Sequence, residues 1–257
     1  MTSRLQSARR RPPGWLWIWL SLIYLWPTVW AGQMEFLDAI KSRDVDAIAA
    51  NLADTSDINA ATTDGRTALM VAAKHGGDEL VRRLVRAGAN VNQRNRNGGT
   101  PLMYASIHGN TKTVEYLLTQ GAEINVTAKF GWSALMIAAS KGHSTLVTTL
   151  LERGADPNTA DVYSWTPLIR AAYQGKREAV AALLTSSATA IDLQDDQGAT
   201  ALHHAAARGY PKIVDLLVAH GAQLEVADTE GRTALFKAKT SGHSGIERML
   251  EDAISRL

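Results

Sequence analysis

The sequence of 257 residues contains no cysteine. Disulfide bonds, thiolate zinc sites, a cysteine nucleophile and a lipid-modified N-terminal cysteine are therefore excluded. The compartment stays open, because an exported protein need not contain disulfide bonds.

Acidic residues are missing from residues 1–31, which contain Arg4, Arg9, Arg10 and Arg11. Removing these four arginines from the 27 basic residues leaves 23, against 25 acidic residues in the remainder of the chain. The body of the chain is thus nearly neutral, whereas binding to phosphates favours a basic surface. We therefore do not expect nucleic acid as a partner.

The first 31 residues have the three parts of a secretory signal peptide. A basic stretch ends at Arg11, an apolar run covers Gly14–Trp26, and Pro27 then interrupts any helix. Val29 and Ala31 have the size and spacing that a signal peptidase reads. We expect cleavage after Ala31 and a periplasmic or secreted protein.

An uncleaved membrane anchor is the alternative for the same segment. Residues 14–30 are close to the lower length limit for crossing a bilayer, and Pro27 lies within them. A retained segment would hold the protein at the inner membrane, and only then do we expect a membrane contact.

From residue 64 onward the sequence repeats itself, as in DGRTALMVAAKHGG, NGGTPLMYASIHGN and FGWSALMIAASKGH. The Thr or Ser that opens each copy recurs at intervals of 33, 33, 33, 34 and 33 residues. These positions are Thr67, Thr100, Ser133, Thr166, Thr200 and Thr233. Six copies at one spacing predict a solenoid.

Each copy has the features of two short helices. The Thr or Ser caps the first helix, and proline follows it at Pro101 and Pro167, where no N–H is needed. A glycine ends this helix, and an amphipathic helix such as DELVRRLVRAG comes next. Stacked copies are expected to bury one leucine each: Leu69, Leu102, Leu135, Leu168, Leu202 and Leu235.

These blocks resemble ankyrin repeats, whose signature contains D-x-x-G-x-T-P-L-H-x-A and, later, L-L-x-x-G-A-D-x-N. The resemblance covers about residues 34–257. It implies an all-α solenoid of helix-turn-helix repeats with β-turn or hairpin loops. Within this domain, residues 32–257, we assign an N-terminal capping repeat to 34–62 and six further repeats to 63–257. The family's histidine occurs only at His203, so its hydrogen bonds are expected to be missing from the other repeats.

The fourth full repeat departs from the pattern at Ser186–Ala190. Its end, LLTSSATAIDLQ, has one extra residue and lacks the closing glycine. Either a residue of 186–188 supplies the turn at a steric cost, or the helix ends differently. We interpret the loop as a tolerated insertion, with a hinge or contact loop as the alternative.

The sequence contains no H-E-x-x-H, G-x-S-x-G or phosphate-loop motif. His75 and His108 hold equivalent positions in adjacent repeats, but two ligands at about one helix-packing distance do not make a metal site. We expect no enzyme activity, no cofactor and no metal.

Large aromatic residues cluster in the third and fourth repeats. Five of the ten aromatic residues outside the leader are Phe130, Trp132, Tyr163, Trp165 and Tyr173. Turn tips are usually built from Gly, Asn, Asp and Pro, so the first four of these rings are unusual for turns, whereas Tyr173 lies at the end of the first helix of its repeat.

The resemblance to ankyrin repeats implies that the turn tips project from the concave side, so we expect these rings to be exposed there and to form a partner-binding patch. Lys129 and Arg170, with Lys141 and Gln174, are expected to form its polar rim. The alternative is that neighbouring rings pack on one another and only stiffen the turns.

The resemblance implies non-catalytic recognition of another protein. Small periplasmic ankyrin proteins that the chain resembles have been associated with protecting periplasmic enzymes, including catalases, and others neutralise toxins. We therefore expect a module that binds or protects a partner protein. An immunity protein or toxin inhibitor, and a membrane-anchored scaffold, are the alternatives; an enzyme would require a pocket with perturbed acid and base groups.

Overall fold

The structure, a computed structural model, describes residues 31–75 and 77–256. The predicted leader up to residue 30 and the predicted helix-ending Gly76 lie outside the described residues. Among the residues described, no helix is both long and apolar enough to cross a membrane.

The described chain is a row of paired helices. Residues 31–42 form α1, which thus includes residues 31–33 ahead of the predicted capping repeat, and α2 is Val45–Ala50. The inner helices of the six repeats are α3 (Ala68–His75), α5 (Pro101–Ile107), α7 (Ala134–Lys141), α9 (Pro167–Tyr173), α11 (Ala201–Ala207) and α13 (Ala234–Thr240). The outer helices are α4 (Asp78–Arg86), α6 (Thr111–Thr119), α8 (Ser144–Glu152), α10 (Arg177–Leu184), α12 (Pro211–Ala219) and α14 (Ser244–Ile254). Short 3-10 turns occur at Asn51–Ala53 and Lys129–Gly131.

The predicted caps start the inner helices. The Ser133 hydroxyl accepts the N–H of Met136 at 3.1 Å, and Thr166 accepts that of Ile169 at 3.2 Å. At the other end, the predicted glycines of repeats two to six adopt positive φ angles between 67° and 84°. Such angles strain any residue with a Cβ, which explains why glycine ends these helices.

Inner helices pack on inner helices and outer helices on outer helices, and a single apolar core runs through the row. Five of the six predicted core leucines are only 1% exposed, and they are Leu69, Leu102, Leu135, Leu168 and Leu202. The prediction for Leu235 is wrong, since it is only partly buried. It lies in the last described repeat, where no further described repeat stacks on α13.

The irregular loop of repeat four ends its helix without a strained residue. No residue of 186–190 has a positive φ. Instead, the Thr189 hydroxyl donates to the Leu183 carbonyl at 2.7 Å, and the Asn158 side chain donates to the Ala188 carbonyl at 2.7 Å. A side-chain hydrogen bond thus takes the place of the closing glycine. Of the two alternatives raised from the sequence, the structure supports a helix that ends differently and not a strained turn residue.

Candidate protein-interaction site

The turns between repeats are joined into one hydrogen-bonded edge. The N–H of Val162 donates to the Phe130 carbonyl at 3.0 Å, and the N–H of Asp196 donates to the Tyr163 carbonyl at 3.2 Å. Equivalent bonds connect the other turns of the six repeats. This edge fixes the register of the tips, so Phe130 and Tyr163 occupy neighbouring, equivalent positions.

The four turn aromatics divide into two exposed rings and two partly buried ones. Phe130 is 63% exposed and Tyr163 is 54% exposed. Trp132 and Trp165 are only partly exposed. The expectation that all four rings stand free is therefore wrong for the two tryptophans, because other side chains cover part of each ring.

Arg170 lies between the two tryptophans. Its guanidinium carbon is 4.8 Å from the centre of the Trp132 ring and 4.4 Å from the centre of the Trp165 ring. Asp161, whose side chain is fully buried, accepts hydrogen bonds from Nε and Nη2 of Arg170. The arginine was expected on the rim of the patch, and it lies at the centre instead.

The stack continues into repeat five. Trp165 contacts Tyr173 edge to face with ring centres 4.8 Å apart, and it contacts His204 at 4.7 Å. Arg208 lies 4.0 Å above the Tyr173 ring. Cation–aromatic contacts of this kind are attractive and hold both partners in place. Ring packing, the alternative raised from the sequence, therefore applies to Trp165, and much less to Phe130 and Tyr163.

The stack depends on a polar pair that recurs nine residues apart. Asp161 pairs with Arg170, Asp195 accepts from His204 Nε2 at 2.7 Å, and Asp228 pairs with Lys237 at 2.8 Å. In each pair the carboxylate also accepts two backbone N–H bonds of its own turn. Sequence reasoning missed these pairs, although the spacing is visible when the repeats are superposed.

Burial and hydrogen bonding shift the pKa values of these groups. Burial alone would raise the pKa of Asp228, but bonds from Lys237 and Arg232 hold it well below its ordinary value. Burial, together with the charges of Lys237 and Arg208, lowers the pKa of His204, although the hydrogen bond and charge of Asp195 act in the opposite direction. Burial likewise lowers the pKa of His203. Both histidines are therefore predominantly neutral at pH 7.

The two aromatic turns also share an uncommon backbone. Phe130 has φ 64° and Ser164 has φ 58°; the only other non-glycine residue with positive φ in the described part of the chain is Arg43. Ser164 takes the place that Gly198 holds in the next turn, where φ is 74°. A left-handed residue other than glycine costs on the order of 1 kcal/mol or more.

The third turn has a reason for its altered shape. Four other turns begin with Asn or Asp, whose side chain accepts N–H groups of the tip; Asp161, for example, accepts from Tyr163 and Trp165. Ala128 begins the third turn and has no acceptor. This turn closes with two successive left-handed residues, Phe130 and Gly131.

Two grooves flank the stack. One, of about 530 Å³, is floored by Trp132 and Ile137 and bordered by Lys141 and Lys176. The other, of about 470 Å³, is lined by Tyr163, Trp165, Arg170, Asp195, His204 and Lys237, among others. His75 and His108 have ring centres 6.3 Å apart, yet no three metal-ligating side chains converge anywhere in the described chain.

The model of the family described as "Ankyrin repeats (3 copies)" matches residues 36–128, 118–195 and 185–255. The chain belongs to the ankyrin-repeat family. No match was found among curated proteins. Ankyrin repeats form extended binding surfaces, and this ankyrin domain is a protein–protein interaction module of a typically non-catalytic kind.

Proposed function

We propose that this ankyrin domain binds a partner protein through the aromatic edge of repeats three and four, defined as Phe130, Trp132, Tyr163 and Trp165. Exposure of Phe130 and Tyr163 on adjacent, hydrogen-bonded tips is the observation that carries the proposal. Large exposed rings that lie together mark interaction sites on soluble proteins.

The fold does not require these two rings. The equivalent tip residues are Asp64, Asn97, Gln197 and Glu230 in the other four repeats, and those turns close with the same backbone bonds. Aromatic side chains therefore add apolar surface to positions that polar residues fill equally well. A surface for contact with a partner accounts for this additional apolar area.

The half-buried tryptophans support a rigid interface. Arg170 holds both rings in place, so little side-chain entropy is lost when a partner covers them. Trp, Tyr and Arg are also the residues enriched at the energetic centres of interfaces. Lys129, which is exposed beside Phe130, lies at the border of the edge and supplies a polar contact there.

The proposal places the protein in the periplasm or outside the cell, with a periplasmic enzyme as the protected partner. The leader-like sequence of residues 1–31 supports it. An immunity protein against a secreted toxin is the second candidate, and a scaffold held at the inner membrane is the third. We predict a mature N-terminus at Gly32, which intact-mass measurement of protein from its native host checks. A full-length mass in the membrane fraction would favour the anchored form.

Replacing both exposed rings by asparagine tests the binding site. Phe130→Asn with Tyr163→Asn copies the polar tip of repeat two, where Asn97 stands, and asparagine tolerates the left-handed backbone at position 130. We expect the variant to fold normally and to lose at least about 30-fold in affinity, since the removal of even one central aromatic residue costs about 2 kcal/mol or more.

Partner capture from native extract is measured first, followed by affinity titration with the captured protein and by thermal melts. Gln197→Asn and Glu230→Asn, at the same position in repeats five and six, are matched controls and should bind as wild type. Unchanged capture by the Phe130/Tyr163 variant would show that the aromatic edge is not the site.

A further inference from the structure

Charged residues are unevenly distributed between the inner and the outer helices, although the composition of the domain is nearly neutral. Five of the six carry Lys, Arg or His, α5 is uncharged, and none of these six fully described helices contains Asp or Glu. Every outer helix contains at least one acidic residue. Among the helices of the six repeats, acidic residues thus occur on the outer helices and not on the inner helices beside the aromatic edge.

The basic side chains continue from one repeat to the next. The His75 and His108 rings are neighbours, Lys141 and Lys176 border one groove, and Arg208 covers the Tyr173 ring. We call Lys141, Lys176 and Arg208 the basic stripe. It runs through repeats three to five, where Lys141 and Arg208 lie at the C-terminal ends of inner helices and Lys176 lies in the loop that leads to α10.

The cations of the stripe are not neutralised within the described residues. Arg170 and Lys237 are paired with buried carboxylates, but no carboxylate lies within 4.0 Å of Lys141, Lys176 or Arg208 in the described part of the chain. Lys141 and Lys176 also border a groove with an apolar floor formed by Trp132 and Ile137. The groove therefore combines an apolar surface with free positive charge.

We propose that the partner places an extended segment rich in both acidic and apolar residues across the inner helices, with carboxylates on the basic stripe and apolar side chains on Trp132 and Ile137. This inference rests on the proposed function and specifies the chemistry of its partner. Complementary charge accelerates association and excludes wrong partners, while the apolar contacts supply most of the affinity.

A protein segment fits this surface better than a nucleic acid does. Exposed Asp64, Asp196 and Glu230 lie at the turn tips, on the opposite border of the same face. A uniform polyanion across the face would be repelled there, whereas a polypeptide can present carboxylates to one border and neutral or basic side chains to the other. The aromatic edge lies at the tips of repeats three and four, where no exposed acid occurs.

The test uses the full chain and a fluorescent random copolymer of glutamate and tyrosine as the probe, with fluorescence anisotropy as the readout. We expect binding that weakens in high salt, and a loss of about fivefold for each of Lys141→Glu and Lys176→Glu. Lys112→Glu and Lys212→Glu change the net charge equally on exposed outer-helix positions and should leave binding unchanged. Lys141→Gln, which adds no repulsion, should lose less than Lys141→Glu, and thermal melts confirm that each variant is folded.

Several outcomes would overturn the inference. These are no binding of the glutamate–tyrosine copolymer, equal losses for inner and outer variants, or equally tight binding of a lysine–tyrosine copolymer, single-stranded DNA or phosphatidylglycerol vesicles. The proposed function fails separately, through the Phe130/Tyr163 variant. A captured partner that needs those rings but ignores Lys141→Glu would retain the aromatic edge and remove the acidic segment.

Discussion

The turns of repeats three and four carry aromatic side chains, whereas those of repeats five and six carry polar ones. In repeats five and six a buried aspartate pairs with His204 or Lys237, glycine supplies the left-handed residue, and the tip side chains are Gln197 and Glu230. Repeat four keeps the same polar pair but covers it with two tryptophans and replaces the glycine by Ser164.

Repeat three departs further, since it has neither the aspartate nor its partner. Ala128 and Ile137 occupy those positions, and the turn closes through a left-handed Phe130. One fold thus accepts both a polar and an aromatic turn. The comparison shows that the turn can close in the same fold with different side chains on its surface. Because the fold does not require the aromatic side chains, we infer that they serve a binding surface.

The largest expected effect lies in the core beneath these turns. Leu135 in repeat three is 1% exposed between two neighbouring repeats, whereas Leu235 in repeat six is covered on one side only. Leu135→Ala should cost about 2–5 kcal/mol in the free energy of unfolding, and Leu235→Ala clearly less. Chemical denaturation of both variants measures the difference. Equal costs would mean that α13 is as well covered as α7, contrary to the packing described above.

Features that recur in every repeat were predictable from sequence, because six copies reveal the same physical requirement. The helix caps at Ser133 and Thr166, the helix-ending glycines outside the undescribed Gly76, and the buried leucines follow from this repetition. Leu235 was mispredicted because position in the row, rather than residue type, decides its burial. The Asp161–Arg170 pair was missed because the nine-residue spacing between a turn residue and an inner-helix residue becomes evident only when the repeats are superposed.

The exposure of the rings was less predictable than their clustering. Trp132 and Trp165 each follow an exposed tip residue by two positions in the sequence. Arg170 nevertheless packs on both rings, and for Trp132 this arginine comes from the next repeat. The left-handed Phe130 depends on the absence of a side-chain acceptor at Ala128. Such combinations of residues from two elements are not visible in a periodic pattern.

A second difference between repeats four and five is that the imidazole of His204 occupies the position that the guanidinium of Arg170 holds in repeat four. Burial lowers the pKa of His204 and of His203 in the folded protein, so the unfolded chain takes up protons first as the pH falls. The free energy of unfolding should therefore be retained near pH 7.5 and decrease as the pH falls through 6.5, the ordinary pKa of histidine in the unfolded chain. The slope is at most about 1.4 kcal/mol per pH unit for each histidine.

Urea denaturation between pH 7.5 and 5 measures this slope. His204→Gln keeps a donor for Asp195 but removes the titration, so its slope should be smaller than that of wild type. Arg170→Lys, at the equivalent position of repeat four, should leave the slope unchanged because it replaces one cation by another. A slope that is identical in all three proteins would contradict the assignment of the effect to His204.

The smallest effect concerns the backbone of the two turns, and it is expected to be asymmetric. Ser164 and Gly198 are equivalent residues with φ 58° and 74°. Ser164→Gly removes left-handed strain of about 1 kcal/mol but gives the unfolded chain additional freedom, which offsets about 0.5–1 kcal/mol. The net gain in the free energy of unfolding should be a few tenths of a kcal/mol at most.

Gly198→Ser, the reverse exchange, reduces the freedom of the unfolded chain by the same amount but acquires the left-handed strain. Its Cβ would also lie 2.9 Å from the Thr229 nitrogen. It should therefore cost about 1 kcal/mol or more. Parallel denaturation curves decide the matter: if both exchanges cost the same, the serine turn is strained no differently from the glycine turn, and strain in repeat four ceases to distinguish it from repeat five.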